Sequence, residues 1–135
     1  MSDNTKKYLV FAAQGILGII FFVMGGLNGF FHFMEPPTPS ASAGAFMGAM
    51  AATGYFFPLV KSIELVGGGL LLVNRFVPFA LVLLAPIIVG IFTLHLFLDP
   101  GALGLSILTV ALEVFLAVMY RDNYKGMFAM KAAPA

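Results

Sequence analysis

The hydrophobic positions of this chain fall into long unbroken runs instead of the short alternations of a water-soluble sheet or the narrow stripes of a surface helix. A helix needs about 20 mainly apolar residues to cross a bilayer. Four runs qualify: Tyr8 to Met34, Phe56 to Val73, Val77 to Leu98 and Leu103 to Tyr120. Polar or Pro/Gly-rich punctuation separates them, with Glu35, Pro36, Pro37 and Pro39 after the first, Asn74 and Arg75 after the second, Asp99, Pro100 and Gly101 after the third, and Arg121, Asp122 and Asn123 after the fourth. The pattern predicts an all-α fold, an integral membrane four-helix bundle forming a single transmembrane domain over 1–135 with a flexible tail from about 125.

The segment between the first two runs carries its own signals. Ser40 or Ser42 can cap a short helix over about 42–53, which is built of small residues with Phe46, Met47 and Met50, and Gly54 stops it. It is too short to span. It reads either as an interfacial helix over the outer mouth of the bundle or as an ordered connector. The first run follows Lys6 and Lys7 as a secretory signal would, but it is about twice the length of a signal core and has no small-residue cleavage site before Pro36, so it is expected to stay in the mature protein.

Composition sharpens the class. Of 135 residues, 61% are hydrophobic and only 10% charged, against roughly 25% charged in soluble domains. The chain has no cysteine, which excludes disulfide exchange, thiolate metal sites and a cysteine nucleophile. The net charge of +1 matters less than its placement. Of the seven basic residues, Lys6, Lys7, Arg75, Arg121, Lys125 and Lys131 all fall on one side of a four-span chain, and the loops on the other side carry none. The positive-inside rule then places both termini in the cytoplasm, giving a multi-pass protein of the cell (cytoplasmic or inner) membrane. Tyr8, Tyr120 and Tyr124 suit an inner aromatic belt, and Tyr55, Phe56 and Phe57 an outer one. The expected partners are the lipid bilayer and a protein partner or second copy. No basic run suits nucleic acid.

An ionised side chain at the centre of a membrane helix costs roughly 2.5 to 3.5 kcal/mol on insertion scales, so the intramembrane charges are the candidates for function. They are Lys61, Glu64 and Glu113. Lys61 and Glu64 are three apart and share a helix face. Counted at 1.5 Å per residue, Glu64 and Glu113 lie at similar depths and are expected to meet in one layer. Ser106, Thr109, Glu113 and Tyr120 form a polar stripe on the fourth run. The first run places Gly18, Gly25, Asn28 and His32 on one face, with Gly25 and Gly29 in a GxxxG spacing. His95 and Asp99 form an i, i+4 pair near the outer end of the third run, above a bend expected at Pro86. Together Lys61, Glu64, Glu113, His32, His95 and Asn28 describe either an outward-facing polar pocket for ligand binding or proton relay, or a structural network in which Lys61 neutralises Glu64. His32 and His95 are also the minimum for bis-histidine haem, but nothing else marks a haem pocket, and no metal site is expected. Walker, dinucleotide and Ser/His/Asp patterns are missing from the sequence, so autonomous hydrolysis is not expected.

The run Phe22 to His32, with its Gly25, Gly26, Asn28 and Gly29, and the string Lys61, Glu64, Gly67, Gly68 and Gly69 followed by Arg75 and Pro78, resemble the DoxX family of small four-span membrane proteins. The resemblance covers about Tyr8 to Arg121 and is most specific at the second-run Glu and its glycines. It implies a four-helix bundle that works as a small partner of other proteins, in settings that include quinone-coupled thiosulfate oxidation and oxidative-stress complexes. It also marks Lys61 and Glu64 as the family's second-span motif. The expected function is a small subunit of a membrane redox system binding quinone or another amphipathic ligand, at most the membrane subunit of a quinone-linked oxidoreductase. The alternative is a non-enzymatic scaffold or assembly factor. Solute transport suits the intramembrane charges but lacks visible inverted repeats.

Overall fold

The structure is a computed structural model that describes residues 2–135. It is all-helical: 81% of the chain is helix, and no strand occurs among the described residues. Helix α1 spans Asp3–Phe31, α2 Ala41–Ala52, α3 Phe56–Leu72, α4 Val77–Leu98 and α5 Leu103–Met119. A short 3₁₀ turn, Pro100–Ala102, leads into α5, and a longer one, Arg121–Phe128, follows it, so the expected tail begins in helix.

The four long helices close a ring in which α1 packs on α3, α3 on α4, α4 on α5 and α5 back on α1. Its centre holds Leu17, Leu71, Leu81, Leu84 and Leu116, all essentially inaccessible. The outer faces are also apolar, with Ile16, Val66, Phe79, Val89, Leu105 and Val114 exposed. Such a surface suits lipid better than water, because an exposed apolar face of this extent has no polar rim to solvate it. Three helices are long and apolar enough to cross a membrane, and the count becomes four if α2 and α3 are taken as one bent unit. At 17 residues α3 is at the short end for crossing a hydrocarbon core, about 26 Å long.

The helix ends follow from local chemistry. Ser2 caps α1 by accepting from the Thr5 N–H at 3.2 Å. The far end departs from the sequence expectation: the helix stops at Phe31, not Met34. His32 takes a left-handed conformation (φ 52°), and the Asn28 side chain folds the outgoing chain back, its Oδ1 accepting from the Met34 N–H at 2.7 Å and its Nδ2 donating to the Met34 carbonyl at 3.2 Å. Within α1, Ile20–Leu27 is wound as π-helix.

Helix α2 begins at Ser40, whose hydroxyl accepts from the Ala43 N–H and donates to the Leu98 carbonyl at 2.5 Å. It lies at 94° to α3, flat across one end of the bundle. Gly54 (φ 77°) makes the corner into α3, a conformation only glycine adopts without penalty. The α3–α4 turn is a Schellman motif: Asn74 is left-handed (φ 55°), the Arg75 N–H bonds the Leu70 carbonyl and the Asn74 N–H the Leu71 carbonyl. Helix α4 runs unbroken through Pro86, so the proline removes a backbone donor without ending the helix. The start of α1 and the end of α5 meet at the bundle end opposite α2, where Asp3 and Tyr120 line one groove.

Candidate functional site

The α1–α3 interface is built on glycines, and the ion pair sits within it. A Cβ on Gly68 would stand 2.5 Å from the Phe22 backbone nitrogen, and one on Gly26 2.5 Å from Leu65. This close approach lets α3 insert Glu64 against α1. A Cβ on Gly25 would stand 2.5 Å from Glu64 Oε2, and one on Gly29 2.5 Å from the Lys61 stem. The two glycines of the GxxxG spacing are therefore the cradle for the two charged side chains. Lys61 Nζ donates to Glu64 Oε2 at 3.1 Å, with the Glu64 side chain 3% and the Lys61 side chain 26% exposed. A carboxylate this buried is held by its partner, whose side chain stays partly accessible. The facing stretch of α1 is the π-helical one, a geometry that often marks functional sites.

The other expected members do not join this pair. Glu113 makes no hydrogen bond or ion pair with Lys61 or Glu64, because α3 and α5 stand diagonally across the ring with the leucine core between them. Its Oε2 is buried without a partner. Asn28 is engaged by the Met34 backbone, and His32 is exposed at the end of α1. His95 does not pair with Asp99: its Nδ1 lies 2.8 Å from the Ile91 carbonyl of its own helix, while Asp99 accepts weakly from the Ser40 N–H at 3.4 Å. No three potential metal-ligating side chains converge among the described residues. The expected six-residue pocket thus contracts to Lys61 and Glu64.

A second polar cluster, absent from the sequence reading, ties the termini end together. Buried Gln14 of α1 donates through Nε2 to the Leu71 carbonyl at 3.2 Å and to Asn74 Oδ1 at 2.9 Å, and its Oε1 accepts from the Tyr120 hydroxyl at 2.8 Å. The Tyr124 hydroxyl donates to the Pro78 carbonyl at 3.0 Å. Burial, and for Tyr124 also the nearby Glu113 and Tyr120, raises both phenols above their ordinary value of 10.0. The signal was present in the chain: Gln14 is the one polar side chain between Tyr8 and Gly25, four residues before Gly18 on the face turned inward. The α5 stripe does face inward as expected, with Ser106 and Thr109 buried and bonded to carbonyls of their own helix.

Two grooves of about 320 Å³ each lie away from the ion pair. One is wholly apolar, between α4 and α5 near Phe92, Leu96 and Ile107. The other lies between the start of α1 and the end of α5.

Fold and site together define an all-helical, multi-helix bundle of membrane-compatible surface, with a part-buried ion pair on one of two glycine-packed helices. No protein family, curated protein or solved structure matches the chain.

Proposed function

We propose that this is a DoxX-like integral membrane protein with four spans and cytoplasmic termini, acting as a small subunit of a membrane redox system that binds quinone or a related amphipathic molecule at Lys61. One observation carries the reading: a lysine side chain one-quarter exposed in an otherwise apolar bundle, its ammonium fixed at 3.1 Å by a buried carboxylate that leaves two of its three donors unused. That donor set fits a carbonyl-bearing head group approaching from the lipid side. Lys61 would orient the head group by hydrogen bonding, and Glu64 would hold Lys61 in place and take up or release a proton. A bound quinone would supply the redox chemistry, and the missing cysteines leave any sulfur oxidation to a partner subunit.

Purification in mild detergent followed by mass spectrometry of bound small molecules tests this. The protein is expected to retain a lipid-soluble redox molecule, and Lys61→Met to lose it with the helical fold intact. Equal content in the two proteins would sink the proposal. The second reading, a scaffold or assembly factor, is favoured by the closed packing around Glu64 and by the engagement of Asn28 and His95 in local structure. A stoichiometric protein partner in the same preparation, retained by Lys61→Met, is its signature.

A further inference from the structure

The groove at the termini end combines features that the ion-pair site lacks. Its rim carries Lys6 and Lys7, its walls are Val10, Phe11 and Met119, and Tyr120 stands at its side. Asp3 also lines it, three and four residues before the lysines on the same helix turn, yet neither lysine forms an ion pair with it or with any other described residue. Lys7 instead leans over its own helix, with Nζ 5.8 Å from the centre of the Phe11 ring. Both ammonium groups remain available to an outside anion. By contrast, Lys125 at the same end is neutralised by Asp122 at 3.0 Å.

Helix length sets the depth of this groove. Helix α1 has 29 residues and is about 43 Å long, so roughly 13 Å of it exceeds a 30 Å hydrocarbon core. With Tyr8 at the interface, Lys6 and Lys7 fall in the head-group layer, and Val10, Phe11 and Met119 fall at the top of the acyl region. A charged rim over an apolar wall at that boundary matches an amphiphile with an anionic head and a hydrocarbon tail.

We infer that the groove between the first turns of α1 and the last turn of α5 is a binding site for a phosphate-bearing amphiphile. Lys6 and Lys7 contact its phosphodiester, and an acyl chain runs down Phe11 and Met119. The inference rests on the membrane placement proposed above but not on quinone binding. The committed source is an anionic phospholipid of the same leaflet.

Native mass spectrometry of the full chain in detergent tests it, with phosphatidylglycerol, phosphatidylcholine and inorganic phosphate offered separately. Phosphatidylglycerol is expected to be retained over phosphatidylcholine. The double variant Lys6→Gln/Lys7→Gln is expected to weaken that retention by roughly ten- to thirtyfold. Arg75→Gln, which removes a charge from the same end but not from the groove, is expected to leave it unchanged, and Met119→Trp, which fills the apolar wall, to reduce it without altering charge. Equal retention of the two lipids, an equal loss in Arg75→Gln, or displacement of lipid by millimolar inorganic phosphate overturns the inference. Membrane placement is read separately, by whether the protein sediments with membranes and resists carbonate extraction, so failure of the lipid site and failure of the membrane reading are distinct results.

Discussion

Gln14 uses both amide protons and its carbonyl oxygen, and each goes to a different part of the bundle: the last turn of α3, the turn after it, and the residue that follows α5. Interhelical hydrogen bonds inside membranes are worth about 0.6 kcal/mol each, so three sum to roughly 2 kcal/mol. Gln14→Leu keeps the volume and is expected to lose about that much, seen as a lower unfolding midpoint by circular dichroism in detergent, with Tyr120→Phe losing only part of it. The two half-buried phenols add a pH dependence. Because folding raises both above the ordinary 10.0, their contribution is intact below that value and is lost as pH climbs through the folded-state values. Tyrosinate absorbance should show a late-titrating component that vanishes in Tyr120→Phe/Tyr124→Phe; simultaneous titration of all four tyrosines would contradict this. Single residues were unevenly legible in the sequence. Lys61 and Glu64 could be paired from their spacing because the partner is one helix turn away. Asn28 and His95 could not be placed, since local backbone groups compete for polar side chains near helix ends. Glu113 depends on which helices are neighbours, and no spacing within one helix encodes that.

Helix positions were read more closely from the sequence than helix interiors. The third run coincides with α4 at both ends, and the short helix starts within a residue or two of its expected bound because a serine cap is a local signal. The first run failed at its C-terminal end, where apolar composition continues through Phe33 and Met34 although Asn28 and His32 have already turned the chain. Glycine count alone could not separate packing glycines from idle ones. Gly68 faces the α1 backbone, whereas Gly90 on α4 has open space where a Cβ would stand. Gly68→Ala is therefore expected to force α1 and α3 apart at a cost of about 1 to 3 kcal/mol. Gly90→Ala, freed of that clash, should be neutral or gain up to about 1 kcal/mol from helix propensity. Thermal aggregation midpoints of the two variants compare them directly, and equal shifts would remove the glycine-packing account.

At the scale of the molecule, the all-helical class followed from run length and composition, whereas the order of helices around the ring did not. That order decides which polar groups meet: it separates Glu113 from Glu64 and brings Gln14 beside Tyr120. The proposed topology has a direct check, because a chain without cysteine is already a clean background for thiol labelling. In intact cells a membrane-impermeant maleimide should label Thr38→Cys, in the exposed segment before α2, and spare Asn123→Cys until the membrane is opened; the opposite pattern would invert the orientation. The π stretch of α1 has a further consequence. Bonding five residues back instead of four inserts the equivalent of one extra residue, about 100° of rotation, between the two halves of the helix. It works as a phase shift does on a wave. The shift is a fixed one, and Gly18 before the stretch, Gly25 within it and Gly29 after it all meet α3, at Leu72, Glu64 and Lys61, so the wider winding keeps the glycine face in step with its partner helix.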